Sequence, residues 1–179
     1  MTRTSTVSYQ WYKGSTAITG ATDASYSVSS VAVADAGTYT LRIYSSTIDS
    51  VVSNAAVVTV NTLPAIAQHP SDASRCLGSL TTLSGSATGS GITYQWQKLN
   101  SGSWTNIGGA NSSSYTIPSM AAGDFGSYRF VVTGTCAPAA TSNVATLTQL
   151  NATVISVQPS STPANACLGG TFTLSVTAS

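Results

Sequence analysis

The chain contains no glutamate, and its five acids are all aspartate: Asp23, Asp35, Asp49, Asp72 and Asp124. Charged residues fill only 6% of the 179 positions, against roughly 25% in an ordinary soluble domain. The long helix formers Glu, Lys and Arg are nearly absent, and Ser, Thr, Asn, Gln and Gly stand in their place. Such side chains form turns and suit β-strands, so an all-β chain is expected. The six basic residues are scattered and leave a net charge of +1. Nucleic-acid binding needs a clustered basic face to displace counterions, and none is present. No apolar run is long enough to span a bilayer, and the opening MTRTSTVSYQWYKG lacks the apolar stretch of a signal peptide.

Cysteine and histidine are also scarce. Cys76, Cys136 and Cys167 form no C-x-x-C pair, and the single His69 lies seven residues before Cys76. This spacing suits no metal, so neither a metal nor another cofactor is expected. Disulfide chemistry in an oxidising compartment is the favoured reading of the cysteines. The sequence offers no Ser-His-Asp set, no paired carboxylates and no phosphate-cradling glycine loop before a helix, so no enzymatic activity is expected.

What the chain does have is 42% hydrophobic residues and an internal repeat. YQWYKG at 9–14 returns 85 residues on as YQWQKL at 94–99, and, after four extra residues in LNSGSWTN, SYSV at 25–28 returns 89 residues on as SYTI at 114–117. The same offset carries DAGTY at 35–39 to DFGSY at 124–128, and SNAAVVTV at 53–60 to SNVATLTQ at 142–149. A third copy starts near QPSSTPANACLGGTFTLSVTAS, echoing HPSDASRCLGSLTTLSGSAT. A period of this size is a small domain, not a solenoid repeat. The expected organisation is residues 1–61 as a partial domain, 62–150 as a complete one and 151–179 as another partial one. Short alternating stretches separated by Gly, Pro, Asn and Asp predict antiparallel β-sandwiches.

In D-x-G-x-Y, a tyrosine opens a late strand, which resembles the tyrosine corner of immunoglobulin-like domains. The combination of Y-Q-W, D-x-G-x-Y and S-N-x-A is similar to bacterial immunoglobulin-like repeats of the intermediate-set kind. Those occur in long secreted and cell-surface proteins, notably of the Bacteroidetes. The resemblance covers essentially the whole chain and implies tandem immunoglobulin-like sandwiches. It makes Trp11 and Trp96 the buried tryptophans of strand C and Tyr39 and Tyr128 the corner tyrosines. Asp35 and Asp124 would then bind local turn amides, and Gly37 and Gly126 would allow the sharp turn into the strand. One departure concerns the inter-sheet cystine. Its strand F position carries Leu41 or Phe130, and its strand B position falls near Gly85 or Val176, so apolar packing must hold the sheets.

On the same topology, two pairings of the cysteines stay open. Cys76 and Cys136 could close a loop within one domain, or such cysteines could staple neighbouring domains. The ends also admit two readings: an excerpt of a longer array, or tails that complete the next chain's head by strand donation. The expected role is a non-catalytic stalk or spacer of a bacterial surface fibre or adhesin, outside the cell or on its surface. Its partners would be neighbouring domains, copies of itself or surface glycans. The alternative is a carbohydrate- or ligand-binding accessory module of a large secreted enzyme. Trp104 bears on that choice, since it has no counterpart in the first copy. It is a sugar-stacking platform or a ring packed on the sheet.

Overall fold

The computed structural model describes residues 7–45, 50–151, 153–162 and 167–178. By contact, the chain divides into two compact units. The first is Met1–Pro64 with Thr88–Ile92 and Thr133–Ala139, and the second is Ala65–Ala87, Thr93–Val132 and Ala140–Ser179.

The first unit is built on one antiparallel sheet. Its strands are β1 (Val7–Lys13), β2 (Thr16–Ala17), β3 (Gly37–Ser45), β4 (Val51–Val52) and β5 (Ala56–Val58), in the order β2-β1-β3-β4 with β5 also on β3. Pairing of β1 with β3 runs the full length of β1, from Val7↔Ser45 to Lys13↔Tyr39. Residues 25–28 have no strand partner among the described residues. The Tyr26 ring lies between Trp11 and Tyr39, at 6.3 and 6.1 Å between centroids.

The second unit has two layers. It contains β6 (Ala65–Gln68), β7 (Ala73–Arg75), β8 (Thr81–Ser84), β9 (Ser86–Thr88), β10 (Thr93–Asn100), β11 (Ser103–Asn106), β12 (Ser114–Ile117), β13 (Gly126–Thr133), β14 (Ala140–Thr141) and β15 (Ala145–Gln149). One sheet has the order β11-β10-β13-β15-β7, with β14 also on β13. Facing it are the pairs β12-β8 and β6-β9. β15 and β7 run parallel, and β10–β11, β13–β14 and β13–β15 are antiparallel. Alternation along β13 buries Tyr128, Phe130 and Val132 and leaves Arg129 on the other face, as the pleat requires. Trp96, Phe130 and Leu147 are buried to within 1% of complete, and β8 covers them with Leu83. Finally, β16 (Ile155–Thr162) and β17 (Thr173–Ala178) form a separate antiparallel hairpin.

The apolar contact that stands in for a cystine is now visible. The Phe130 ring is 5.1 Å from Trp96 and 5.7 Å from Tyr94. It also lies flush against Gly85, where a Cβ would come within 2.2 Å of the ring. Only glycine lets the ring approach that strand backbone. Cys76, Cys136 and Cys167 are free thiols, so the Cys76–Cys136 bridge weighed from the sequence is not formed. Trp11 departs from full core burial. It is half-buried, and among the described residues no strand pairs with residues 25–28 above it, whereas its counterpart Trp96 is 0% exposed.

This difference generates a test. Trp96→Ala should lower stability by about 3–5 kcal/mol, the range for deleting a large buried ring. Trp11→Ala should cost less, since its ring is already partly wet. Denaturant unfolding followed by near-ultraviolet circular dichroism measures both; equal losses would contradict the assigned burial.

Candidate functional site

Each repeated motif turns out to bind its own backbone. In the second unit, the Tyr128 hydroxyl donates to the Asp124 carbonyl at 2.6 Å, and the Asp124 carboxylate accepts from the Ala121 N–H at 2.8 Å. The first unit repeats this, with Tyr39 on the Asp35 carbonyl at 2.7 Å and Asp35 on the Ala32 N–H at 2.7 Å. Gly37 and Gly126 sit at φ +150° and +131°, a region open to glycine and strained for other residues. Trp96 Nε1 donates to the Ser112 carbonyl at 2.9 Å and Trp11 Nε1 to that of Asp23 at 3.1 Å.

Three further repeated side chains have structural roles that sequence reasoning missed. Gln95 and Gln10 donate from Nε2 to the carbonyls of Ile107 and Ile18, at 2.9 and 2.7 Å. Lys98 and Lys13 cross the rings of Tyr128 and Tyr39, at 5.5 and 5.9 Å from the centroids, to reach the carbonyls of Gly123 and Ala34. Ser142 and Ser53 each accept from the N–H of Phe130 and Leu41, both at 3.0 Å, and donate to the following asparagine carbonyl. The signal was the repetition itself: Y-Q-W-x-K and S-N recur at matched places. His69 also has a structural partner, since its Nδ1 accepts from the Asn143 N–H at 3.0 Å.

Two other places stand out among the described residues. One is the outer face of β10, β11 and β13. Trp104 pairs with Leu99 across the β10–β11 ladder and lies half-buried there. The Arg129 guanidinium stacks over its ring at 4.3 Å, a cation–π contact. Arg129 also donates to Gln97 Oε1 at 2.8 Å, and Gln97 donates to Asn106 Oδ1 at 2.8 Å. Trp104 is therefore a ring resting on the sheet with one edge still wet, and it stands apart from the core tryptophans. The other place is a cleft of about 290 Å³ in the first unit, lined by Trp11, Tyr26, Val28, Tyr39, Ala56 and Val58. It is apolar, and the Asp35 carboxylate on its rim is already held by the Ala32 N–H.

Comparison with known proteins agrees with this architecture. Residues 67–151, just under half of the chain, match a family model described as a domain of unknown function (DUF8696). No curated protein matches. Among solved structures, a three-domain fragment of titin (I67–I69, an E-to-A variant) superposes with a TM-score of 0.59 at 17% identity, covering 82% of this chain and 56% of that one. The three N-terminal domains of the Highly Immunogenic Outer Capsid protein of bacteriophage RB49 give 0.60 at 16% identity, over 83% and 59%. The first two domains of DIP-gamma give 0.54 at 17%, over 82% and 84%. The fold is a tandem of immunoglobulin-like sandwiches. This chain spans less than two thirds of the titin and phage fragments, and at these identities the likeness concerns fold alone.

The corner supplies a pH test. Burial first, then the nearby Tyr115 and Asp124, push the Tyr128 phenol well above its ordinary 10.0. Tyr115 shifts the same way through burial and Asp124. A raised folded-state value means that this stabilisation is complete below about pH 10 and is lost as the pH climbs beyond it. Tyr128→Phe should cost about 0.5–1.5 kcal/mol at neutral pH, the worth of one hydrogen bond, and should flatten the alkaline loss. Thermal unfolding of both proteins across the alkaline range reads the two effects together.

Proposed function

We propose that the chain is a non-catalytic repeat module that serves as a rigid spacer in an extracellular bacterial fibre or adhesin. One observation carries this reading: the side chains repeated between the two units bind their own backbone and none converges on a reacting atom. Asp124, Tyr128, Gln95, Lys98 and Ser142 all end on main-chain groups. What such a unit offers is a shape and a length.

The segment leading out of the first repeat supports the same reading. Thr62 and Ser90 exchange hydrogen bonds, with the Thr62 N–H on Ser90 Oγ at 3.0 Å and the Ser90 N–H on the Thr62 carbonyl at 3.2 Å. Pro64 is buried, and its ring fixes φ, so the segment is stiff. An extracellular site fits the nearly uncharged Ser/Thr surface, and the phage neighbour's printed name places that protein on an outer capsid. The partners in this reading are adjoining immunoglobulin-like domains, further copies or surface glycans, with residues 62–150 as the complete repeat. The bacterial source belongs to this proposal through the motif resemblance.

Trp104 carries the second reading, a carbohydrate-binding accessory module, because a half-exposed tryptophan stacked on Arg129 can present a ring edge to a sugar. One experiment separates the two. Antibodies to residues 62–150 should label intact producing cells, and Trp104→Ala should not alter the chain's behaviour on a panel of surface glycans. Labelling only after permeabilisation would overturn the extracellular assignment. Glycan binding that disappears in Trp104→Ala would replace the spacer with the ligand-binding module.

A further inference from the structure

The complete repeat has a strand edge whose opening is set from inside the chain. β12 pairs antiparallel with β8 as Ser114↔Ser84, Tyr115↔Leu83, Thr116↔Thr82 and Ile117↔Thr81. In the same register the Gly85 N–H donates to the Ser113 carbonyl at 2.9 Å. Antiparallel pairing alternates along a strand, so the main-chain groups of Ser113, Tyr115 and Ile117 point to β8 and those of Ser114 and Thr116 point away. Among the described residues no strand takes up that outer edge. Residues 107–113, which join β11 to β12, are turn and bend rather than a further strand.

A hollow of about 380 Å³ is shared by this strand and the turn before it, with Gly108, Gly109, Asn111, Ser112, Ser114 and Thr116 in its lining. Glycine at 108 and 109 leaves the turn without side chains there, and no atom lies within 4 Å of where a Cβ would stand at either. Asn111, Ser112, Ser114 and Thr116 are all exposed. The lining therefore presents an amide, hydroxyls and main-chain groups, and none of its side chains is charged.

The first repeat builds the same feature. A hollow of about 260 Å³ is lined there by Thr19, Gly20, Asp23, Ser25 and Ser27, the counterparts of Gly108, Gly109, Ser112, Ser114 and Thr116. Both turns are tied alike. The Ala110 N–H donates to the Ile107 carbonyl and that of Ala21 to the Ile18 carbonyl, each at 3.2 Å. The Asn111 N–H meets the Gly109 carbonyl at 3.1 Å, and the Thr22 N–H meets that of Gly20 at 3.0 Å. The carbonyls of Ser112 and Asp23 also hold the indole N–H groups of Trp96 and Trp11. Each hollow is thus anchored to its own strand C tryptophan, the kind of support that keeps a binding surface preformed.

We infer that this hollow is a subsite for one sugar unit of a neutral polysaccharide. A phosphate or carboxylate needs a cation, and the lining of the complete repeat supplies none. In the first repeat Asp23 would repel such an anion. Sugar hydroxyls both donate and accept, and so match an amide, hydroxyls and the outward N–H and C=O groups of Ser114 and Thr116. Those two residues alone make a ladder too short to hold a peptide strand by main-chain bonds. A volume of about 380 Å³ falls at the small end of ligand sites, so a single subsite binds weakly. One hollow in each repeat lets a chain of sugars gain by multivalency. The inference deepens the spacer reading by giving its glycan partner a place, and it rests on that reading only for the presence of glycans around the chain.

Amide NMR on the isotope-labelled full chain, with its thiols kept reduced, tests the inference. The probes are cellohexaose, maltohexaose and mannohexaose, with oligogalacturonate as the charged comparison. At least one neutral probe should move the amide signals of Asn111, Ser112, Ser114 and Thr116, with a Kd of order 1 mM, and oligogalacturonate should not. Ser114→Arg fills the hollow from an exposed position and should weaken binding about tenfold or more, the worth of one or two hydrogen bonds. Asn111→Ala removes an amide without adding bulk and should weaken it severalfold, whether or not arginine disturbs the strand. Trp104→Ala should leave the affinity unchanged. Silence of these amides toward all three neutral probes, stronger shifts with oligogalacturonate, or full affinity in both Ser114→Arg and Asn111→Ala would each overturn the inference. So would binding that is lost in Trp104→Ala. Surface labelling of producing cells is a separate measurement, so failure of the subsite and failure of the extracellular assignment can be told apart.

Discussion

The architecture of the complete sandwich depends on the contact between the Phe130 ring and the bare backbone at Gly85. Immunoglobulin-like sheets are commonly tied at this level by a cystine, and here the sheets have to be held by packing alone. A fully buried phenylalanine contributes about 1.5–3 kcal/mol from its removal from water, and a native disulfide typically 2–4 kcal/mol. The two are comparable, so replacing one by the other is affordable only if the ring is tightly enclosed. Phe130 is 0% exposed, with Trp96 at 5.1 Å and Tyr94 at 5.7 Å. Trp96 in turn meets Tyr115, and Tyr115 meets Tyr128. The corner tyrosine is thus the far end of a ring cluster that starts at Gly85.

Much of this was legible because its bonds are local. Tyr128 and Asp124 are four residues apart, and a repeated D-x-G-x-Y gives both the corner and its glycine at a glance. The strands of β10 and β13 were legible from alternation, and their tryptophan and phenylalanine faced inward as the period requires. The Gly85–Phe130 contact joins positions 45 residues apart, and one sequence carries no sign that a glycine makes room for a ring. The Gln95 and Lys98 bonds were missed for the same reason, since Lys98 reaches a carbonyl 25 residues away. Trp11 shows a third kind of limit. Its motif is the same as that of Trp96, but burial depends on a covering strand that is not beside it in the described residues.

The near-absence of charge sharpens the consequence of that open layer. Val51, Val52, Val57 and Val58 are 62%, 49%, 75% and 42% exposed in the first unit, and residues 25–28 have no strand partner among the described residues. Proteins commonly protect such edges with lysine, inward charges or bulges. This chain has two lysines in all, and Lys13 and Lys98 are both tied to carbonyls beneath the corner. With a net charge of +1, long-range repulsion does not keep copies apart.

A tandem array built from near-identical strands then faces a problem of identity, because a strand that fits one repeat tends to fit its neighbours. The two core pairs address this directly. A valine at the Gly85 position cannot enter the second unit, since even its Cβ would come within 2.2 Å of the Phe130 ring. Leu41, the counterpart of Phe130 in the first unit, is smaller than that ring and would leave room for a side chain on any strand packed above it. A glycine strand in the first unit would conversely leave a void, and voids in a core are destabilising in proportion to their volume. Steric exclusion on one side and cavity formation on the other act on the same residue position. Register and partner choice among repeats can therefore be set by two residues that never carry a charge or a hydrogen-bonding side chain.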